Sequence, residues 1–416
     1  MHPIDGRDRR TWLALGLYAF VAYQLLGPEP QGIDAFGPLA EAFLDGRLHI
    51  IRDHPGALEL VPRPGGGWYL PYPPGPAIPL LPIVAVFANR FDIGLVGAIL
   101  GALNVVLLHA ALRISGAKWS VATWLAVGFA LGSVHWWAAA LSDVWNYALV
   151  HAVTFMLLAL VLALRQRWPV AAGILFGLAA AARLPVGLLV PLYLALYAGV
   201  RLPSRGDIDG WRGRLRAAGL PSPAALWQSP RVRGPVLFLL GLAIPASLVA
   251  LYNVARFGSP TDFGYERIPG VLTEPIFTQG INSITYIPRH IHAMFIRGFD
   301  YVDQFPYFRP NWTSLSLLIQ TPIFLWLVRA RSRDTIIAFA WLAVALALIP
   351  IITHGGVGFT QFGYRRSLDF APVLWLMLGW VFRERMPVEA KAAIVLGVIV
   401  NAYGMYAILV MNFVAY

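Results

Sequence analysis

What most constrains this chain is the recurrence of apolar blocks of about 16–23 residues, the length that crosses a hydrocarbon core about 30 Å thick. Eleven can be marked, at 11–27, 94–112, 119–139, 147–164, 168–182, 184–200, 234–254, 313–328, 334–353, 367–382 and 392–412. Composition agrees: 58% of the 416 residues are apolar and only 13% are charged, against about 25% charged in an ordinary soluble domain. The expected fold is an all-α polytopic membrane protein, a bundle of about 11 spans forming one transmembrane domain over 1–416. A secreted enzyme, a nucleic-acid binder, a coiled coil and a disordered scaffold are excluded.

The net charge of +11 would by itself raise nucleic acid as a partner. Here the basic residues sit mostly at the ends of apolar blocks, where they set topology instead. Arg7, Arg9 and Arg10 precede the first block, and no small-residue cleavage site follows it. It reads as a retained anchor with a cytoplasmic N-terminus. The stretch 76–88 is short, proline-broken and preceded by Tyr72-Pro73-Pro74-Gly75, so it is expected to be interfacial or re-entrant. Without a crossing there, 17 basic residues after position 90 fall inside and eight outside. Loop 201–233 is then cytoplasmic, and 28–93 and 255–312 are extracytoplasmic. The chain has no cysteine, which removes disulfides, thiolate metal sites and cysteine nucleophiles.

Both outer loops carry helical apolar stripes. Phe36, Leu39, Ala40, Phe43 and Leu44 form one, and Ile287, Ile291, Met294 and Phe295 the other. Each reads as an amphipathic helix at the membrane interface. The outer ends of the spans hold the unusual charges: Asp34, Asp143, Arg183, Arg256, Arg365 and Arg366. Arg183 lies in an apolar setting, and an arginine at depth costs about 2.5–3.5 kcal/mol on insertion scales, so it calls for an anionic partner, a carboxylate or a phosphate. Asp34 could be a general base or the cap of the following helix, although Pro38 fits poorly with a cap. Asp143 could be a functional acid or the N-cap of the span at 147.

Gly32-Ile33-Asp34, followed by an amphipathic helix ending in Asp45-Gly46-Arg47, resembles the first outer loop of GT-C glycosyltransferases. Tyr72-Pro73-Pro74-Gly75 is similar to the proline-rich segment those enzymes carry next, and Ala181-Ala182-Arg183-Leu184-Pro185 to their small-residue Arg-Pro junction. Asn253 to Pro260 with Phe263-Gly264-Tyr265, and Phe362 to Arg366 with Ser367 to Pro372, resemble segments of bacterial members. The resemblance runs in order from about 10 to 380. It implies transfer of a sugar from a polyprenyl-phosphate carrier to a lipid, glycan or protein acceptor on the extracytoplasmic face of a membrane, the bacterial plasma membrane. It implies Asp34 as base with Asp143 as a second acidic residue. Arg183, Arg365, Arg366 and Arg256 would bind the donor phosphate, and Tyr265, Tyr364, Tyr72 and His151 the substrate. The usual acidic pair at the head of the first loop is here a single Asp34, preceded by Ile33. The oligosaccharyltransferase Trp-Trp-Asp signature is missing, since His135-Trp136-Trp137 runs into Ala138.

Elementary chemistry points the same way. An attacking hydroxyl needs a carboxylate to take its proton, and a leaving phosphate is matched by guanidinium groups. No cofactor and no metal are expected, and membrane lipids and the lipid-linked donor are the expected partners. Asp207-Ile208-Asp209 reads as a solvated loop, and His290-Ile291-His292 and His49 with His54 lack a third ligand at metal spacing. His135 and His151 read as satisfied span-end histidines or, alternatively, proton carriers. The rival function is a transporter or flippase, which calls for midplane charges and internal repeats. Orientation is testable directly: a single cysteine at Ser222 should resist an impermeant thiol reagent in intact cells, and one at Thr273 should react. The opposite labelling would reverse the topology.

Overall fold

Each apolar block coincides with a helix or a broken helix pair. A computed structural model describes residues 6–25, 27, 34–51, 59–88, 90–199, 229–331 and 335–415. The loop expected at 201–233 lies outside these residues up to position 228, as do Gly32, Ile33, His54, Asp207 and Asp209. The helices are α1 (Gly6–Leu25), α2 (Phe36–Leu44), α3 (Leu81–Phe87), α4 (Ile93–Ile114), α5 (Trp119–Leu131), α6 (His135–Leu141), α7 (Val144–Leu164) and α8 (Pro169–Ala180). They continue with α9 (Val190–Ala198), α10 (Pro230–Phe257), α11 (Ile287–Ile291), α12 (Leu317–Gln320), α13 (Thr335–Ile352), α14 (Ala371–Phe382) and α15 (Val388–Leu409). Among the described residues, four helices are long and apolar enough to cross a membrane unaided, and α5 with α6, bent by 54°, forms a broken span or a re-entrant pair. The remaining blocks are interrupted. A 3-10 turn at Leu184–Leu189 precedes α9, another at Pro322–Arg329 follows α12, and a third at Arg365–Asp369 precedes α14. Prolines at the first positions of the turns at 184 and 322 lack an N–H to donate, which is where such turns are tolerated.

Two bundle ends can be told apart by their charges. At one end Asp8 takes the Arg113 Nε–H at 2.8 Å, both groups buried, and Lys118 pairs with Glu384 at 2.7 Å. The Lys118 N–H also donates to the Arg383 carbonyl. The start of α1, the α4–α5 turn and the α14–α15 turn therefore meet, and these are the segments expected inside by the charge count. Asp34, Asp143, Arg183, Arg365 and Arg366 gather elsewhere, around one cavity.

Close backbone approach sets the α8–α10 contact. A Cβ at Gly173 would lie 2.0 Å from the Phe238 carbonyl oxygen, one at Gly177 2.1 Å from the Pro245 ring, and one at Gly241 2.1 Å from the Val170 carbonyl oxygen. Gly173 and Gly177 are four apart, the small-residue spacing that lets membrane helices touch through their backbones.

The first loop is a second small core. Phe36, Leu39 and Ala40 of α2 are buried together with Leu70, Ala77, Leu80, Val84 and Tyr147. The α2 stripe thus meets protein, with Leu44 left exposed at its end. In the second loop Met294 is buried while Ile291, Phe295 and Ile296 stay exposed. That segment keeps the apolar outer face expected of an interfacial helix.

Gly173→Ala should destabilise the protein by about 1–3 kcal/mol, because backbone atoms facing it cannot swing aside. Gly187→Ala, whose added methyl meets only Ala180 at 3.5 Å, should be near neutral. Thermal unfolding in detergent compares the two.

Candidate functional site

The cavity has a volume of about 2170 Å³ and is walled by both loops, the start of α7, the α8 break and the 3-10 turn at 365–369. Its geometry begins at Ser142. This residue is left-handed, with φ 42°, and its hydroxyl donates to the Ala138 carbonyl. Gly97 faces it so closely that a Cβ there would overlap the Ser142 hydroxyl at 1.7 Å. The sharp turn leaves Asp143 extended as the N-cap of α7, with Oδ1 accepting from the Trp145 and Asn146 amides at 3.1 and 2.8 Å. Oδ2 accepts from the Asn146 side chain at 3.1 Å. Burial pushes the Asp143 carboxyl up, against the pull of Arg365 and these hydrogen bonds. The N-cap reading of Asp143 therefore holds, and both its oxygens are in use.

Trp145 follows the cap and organises one wall. Its indole N–H reaches the Tyr72 hydroxyl at 2.8 Å and Glu59 Oε2 at 3.2 Å. The Arg365 guanidinium stands 5.5 Å from the centre of the same ring, a cation–π arrangement. Arg365 Nη1 is buried with no hydrogen-bond partner, and burial pulls its pKa down to about 10. Arg366 stands next to it. Its Nη2 lies 3.1 Å from His354 Nδ1 and its Nε donates to the Val357 carbonyl at 3.3 Å.

Arg183 completes the basic cluster, and it has a carboxylate partner. Its Nε and Nη2 meet Asp369 Oδ1 and Oδ2 at 2.8 and 2.7 Å, a bidentate pair with Asp369 fully buried. Of the anionic partners expected for Arg183, the carboxylate is present: one edge of its fork is committed to it, and the residue still lines the cavity. The break that carries it is also the seat of the first loop. The Gly75 amide donates to the Ala181 carbonyl at 2.9 Å, and a Cβ at Gly75 would sit 2.6 Å from that oxygen.

Asp34 lines the cavity, and its Oδ1 accepts from the Phe36 and Gly37 amides at 2.9 and 3.0 Å. It is a cap as well as a candidate base. Pro38 does not oppose this, because the capped donors precede it. Tyr72 and Tyr265 also line the cavity.

Three expected site residues point elsewhere. Arg256 lies over the Tyr252 ring at 3.7 Å and donates to the Leu70 carbonyl and to Asn253 Oδ1, bracing α10 against the first loop. Tyr364 is buried, with its hydroxyl on His290 Nδ1 at 2.6 Å. His151 is buried in the bundle beside Phe155, with neither ring nitrogen hydrogen-bonded. Conversely, Glu59, Trp145 and His354 line the cavity unanticipated. Nothing in local spacing marks them. Asp369 had a usable signal, since an acid heading an apolar block needs a partner. Among the described residues no group of three His, Asp or Glu side chains is placed to hold a metal ion.

No family model matches the sequence, and no curated protein does either. Solved structures do match. ArnT from Cupriavidus metallidurans in the apo state aligns with a TM-score of 0.50 at 16% identity, over 97% of this chain and 66% of that one. The same protein bound to undecaprenyl phosphate aligns at 0.48 and 16%, over 95% and 64%. An oligosaccharyltransferase from Archaeoglobus fulgidus in the apo form aligns at 0.46 and 13%, over 97% and 56%. This chain therefore spans less than two thirds of the length of the structures it resembles. The likeness to apo ArnT shows the fold alone, the same bundle of helices as in that protein. The chain is an integral, multi-pass membrane protein.

Burial raises the Glu59 pKa, with the Trp145 hydrogen bond and then Arg365 opposing it. A carboxyl raised in the folded state contributes stability that is full below its unfolded pKa and is lost as pH rises through the folded value. Glu59→Gln should therefore raise the unfolding midpoint at neutral pH and have no such effect in acid. Midpoints measured from pH 4 to 8 check the sign.

Proposed function

We propose that the protein is a glycosyltransferase of the GT-C type that moves a sugar from a polyprenyl-phosphate donor to a hydroxyl acceptor at the extracytoplasmic face. The observation that carries this reading is the basic wall. Three guanidinium groups, Arg183, Arg365 and Arg366, share one cavity surface. One is neutralised by Asp369, and Arg365 keeps a buried Nη1 without a partner. Leaving a buried donor unsatisfied costs about 1–3 kcal/mol, and a phosphate oxygen in the cavity would remove that cost. The resemblance of the motifs supports the same donor class, as does the fold shared with apo ArnT, a protein that has also been solved bound to undecaprenyl phosphate.

In the proposed step the acceptor O–H attacks the anomeric carbon. The bond from that carbon to the phosphate oxygen breaks, its electron pair stays on the phosphate, and the acceptor proton passes to Asp34. Arg365 and Arg366 meet the charge that develops on the leaving phosphate. Asp143, with both oxygens engaged, serves as cap and as a counter-charge to Arg365. The reaction so drawn invokes no divalent cation, and the acceptor is a lipid, glycan or protein hydroxyl. The cytoplasmic N-terminus and the sidedness follow the charge count. A carrier would place its charges between spans at mid-depth; here they stand at helix ends and in loops, which favours the enzyme over a flippase.

Because Asp34 also caps α2, the decisive variant is Asp34→Asn, which keeps an oxygen for both amides and removes the base. Turnover should fall about 10²–10⁴-fold with donor binding nearly unchanged. Arg365→Ala should instead weaken donor binding by about 1.5–3 kcal/mol. Turnover of Asp34→Asn near wild type would remove Asp34 from the mechanism.

A further inference from the structure

His354 lies just beyond α13, on a turn that lines the cavity. Its Nδ1 has three neighbours: the Gly356 amide nitrogen at 3.0 Å, Arg366 Nη2 at 3.1 Å and the Gly356 carbonyl oxygen at 3.1 Å. An amide and a guanidinium can only donate. A lone pair on Nδ1 therefore satisfies two neighbours, and a proton there would satisfy one and repel Arg366. The arrangement assigns the lone pair to Nδ1 and the proton to Nε2. Burial, then Arg366, holds the imidazole pKa down to about 2, so the ring is neutral at any working pH.

The turn is pinned from outside. His290 Nε2 reaches the His354 carbonyl at 2.7 Å, and Arg289 Nη1 reaches the Gly355 carbonyl at 2.6 Å. The Gly355 amide donates to the Ile281 carbonyl at 2.8 Å. Arg366 is thus clamped by a neutral imidazole and the Val357 carbonyl. Arg183 is held by a carboxylate instead.

We propose that His354 is a positioning residue that fixes Arg366 against the cavity without cancelling its charge, so that the guanidinium meets the donor phosphate as a full cation. The proposal rests on the polyprenyl-phosphate reading above. It explains why a histidine stands where an acidic residue would grip the arginine more tightly: a carboxylate there would compete with the phosphate.

The test compares His354→Asn, His354→Asp and His354→Ala in the full chain in lipid nanodiscs, with Arg365→Ala as reference. Binding of undecaprenyl phosphate, KM, kcat and the unfolding midpoint are measured for each. His354→Ala should weaken binding about tenfold, in the range of one lost charge-assisted contact. Asn, a neutral acceptor of similar reach, should restore most of that loss. Asp should keep the arginine in place, with an unfolding midpoint at least that of Asn, yet bind at least as weakly as Ala. The effect should appear in KM and binding, with kcat little changed. Asp binding as tightly as Asn, or losses that follow the unfolding midpoint alone, would overturn the proposal. Should Ala fail to fold, the Asn–Asp pair still decides. If Arg365→Ala also leaves binding unchanged, the phosphate reading falls and this inference with it. If Arg365→Ala weakens binding while Asp equals Asn, only this inference falls.

Discussion

The pair between Arg183 and Asp369 joins two segments that are each, on their own, interruptions of a helix. Arg183 stands where α8 stops, and Asp369 closes the 3-10 turn before α14. Asp369 is fully buried while Arg183 is partly open to the cavity, so removing Arg183 would strand a buried carboxylate, which costs up to about 3–5 kcal/mol. The pair therefore fixes how the two breaks sit against one another. With that fixed, the residues four and three positions before Asp369, Arg365 and Arg366, are carried to the cavity wall. The Ala181 carbonyl freed by the same break receives Gly75 and with it the first loop. The placing of Arg183, Arg365 and Arg366 and the seat of the first loop thus depend on one helix that does not continue.

This logic separates the roles of charges that look alike in sequence. Four arginines stand at outer span ends, and in sequence only Arg183 is set apart, by its apolar setting. Packing sorts them: Arg256 braces a carbonyl and a ring, Arg183 holds a carboxylate, Arg365 faces an indole, and Arg366 is held by neutral acceptors. What differs among them is the charge of the partner.

The blocks were legible because a bilayer demands a fixed length of apolar chain, and every block has its helix or helix pair. Their interruptions were not, since a 3-10 turn such as 322–329 depends on what receives the freed carbonyls. The α2 stripe was legible as a period, while its covering by Leu70, Leu80 and Tyr147 was not. Asp34, Asp143 and the Arg365–Arg366 doublet could be found from residue type and place in an outer loop or at a span end, and Tyr72 only from the resemblance of its segment. Tyr364 and His151 have suitable chemistry but turn inward, and side-chain direction at a helix end is decided by neighbours far away in sequence. Glu59 and His354 reach the cavity through contacts 86 and 12 residues distant, to Trp145 and Arg366. The GxxxG spacing at Gly173 and Gly177 is visible in the sequence, whereas the choice of α10 as the helix it packs on is not.

The cavity's cations are all guanidinium groups among the residues that line it, and this has a chemical consequence. The two lysines of the chain, Lys118 and Lys391, lie at the other end of the bundle, against Glu384 and the Trp124 ring. A buried lysine readily loses its proton and becomes an amine nucleophile, whereas a guanidinium remains charged and unreactive. Cysteine is absent altogether. Among the described residues that line the cavity there is thus neither a side-chain amine nor a thiol. In the proposed reaction, no lysine or cysteine side chain of that wall competes with the acceptor.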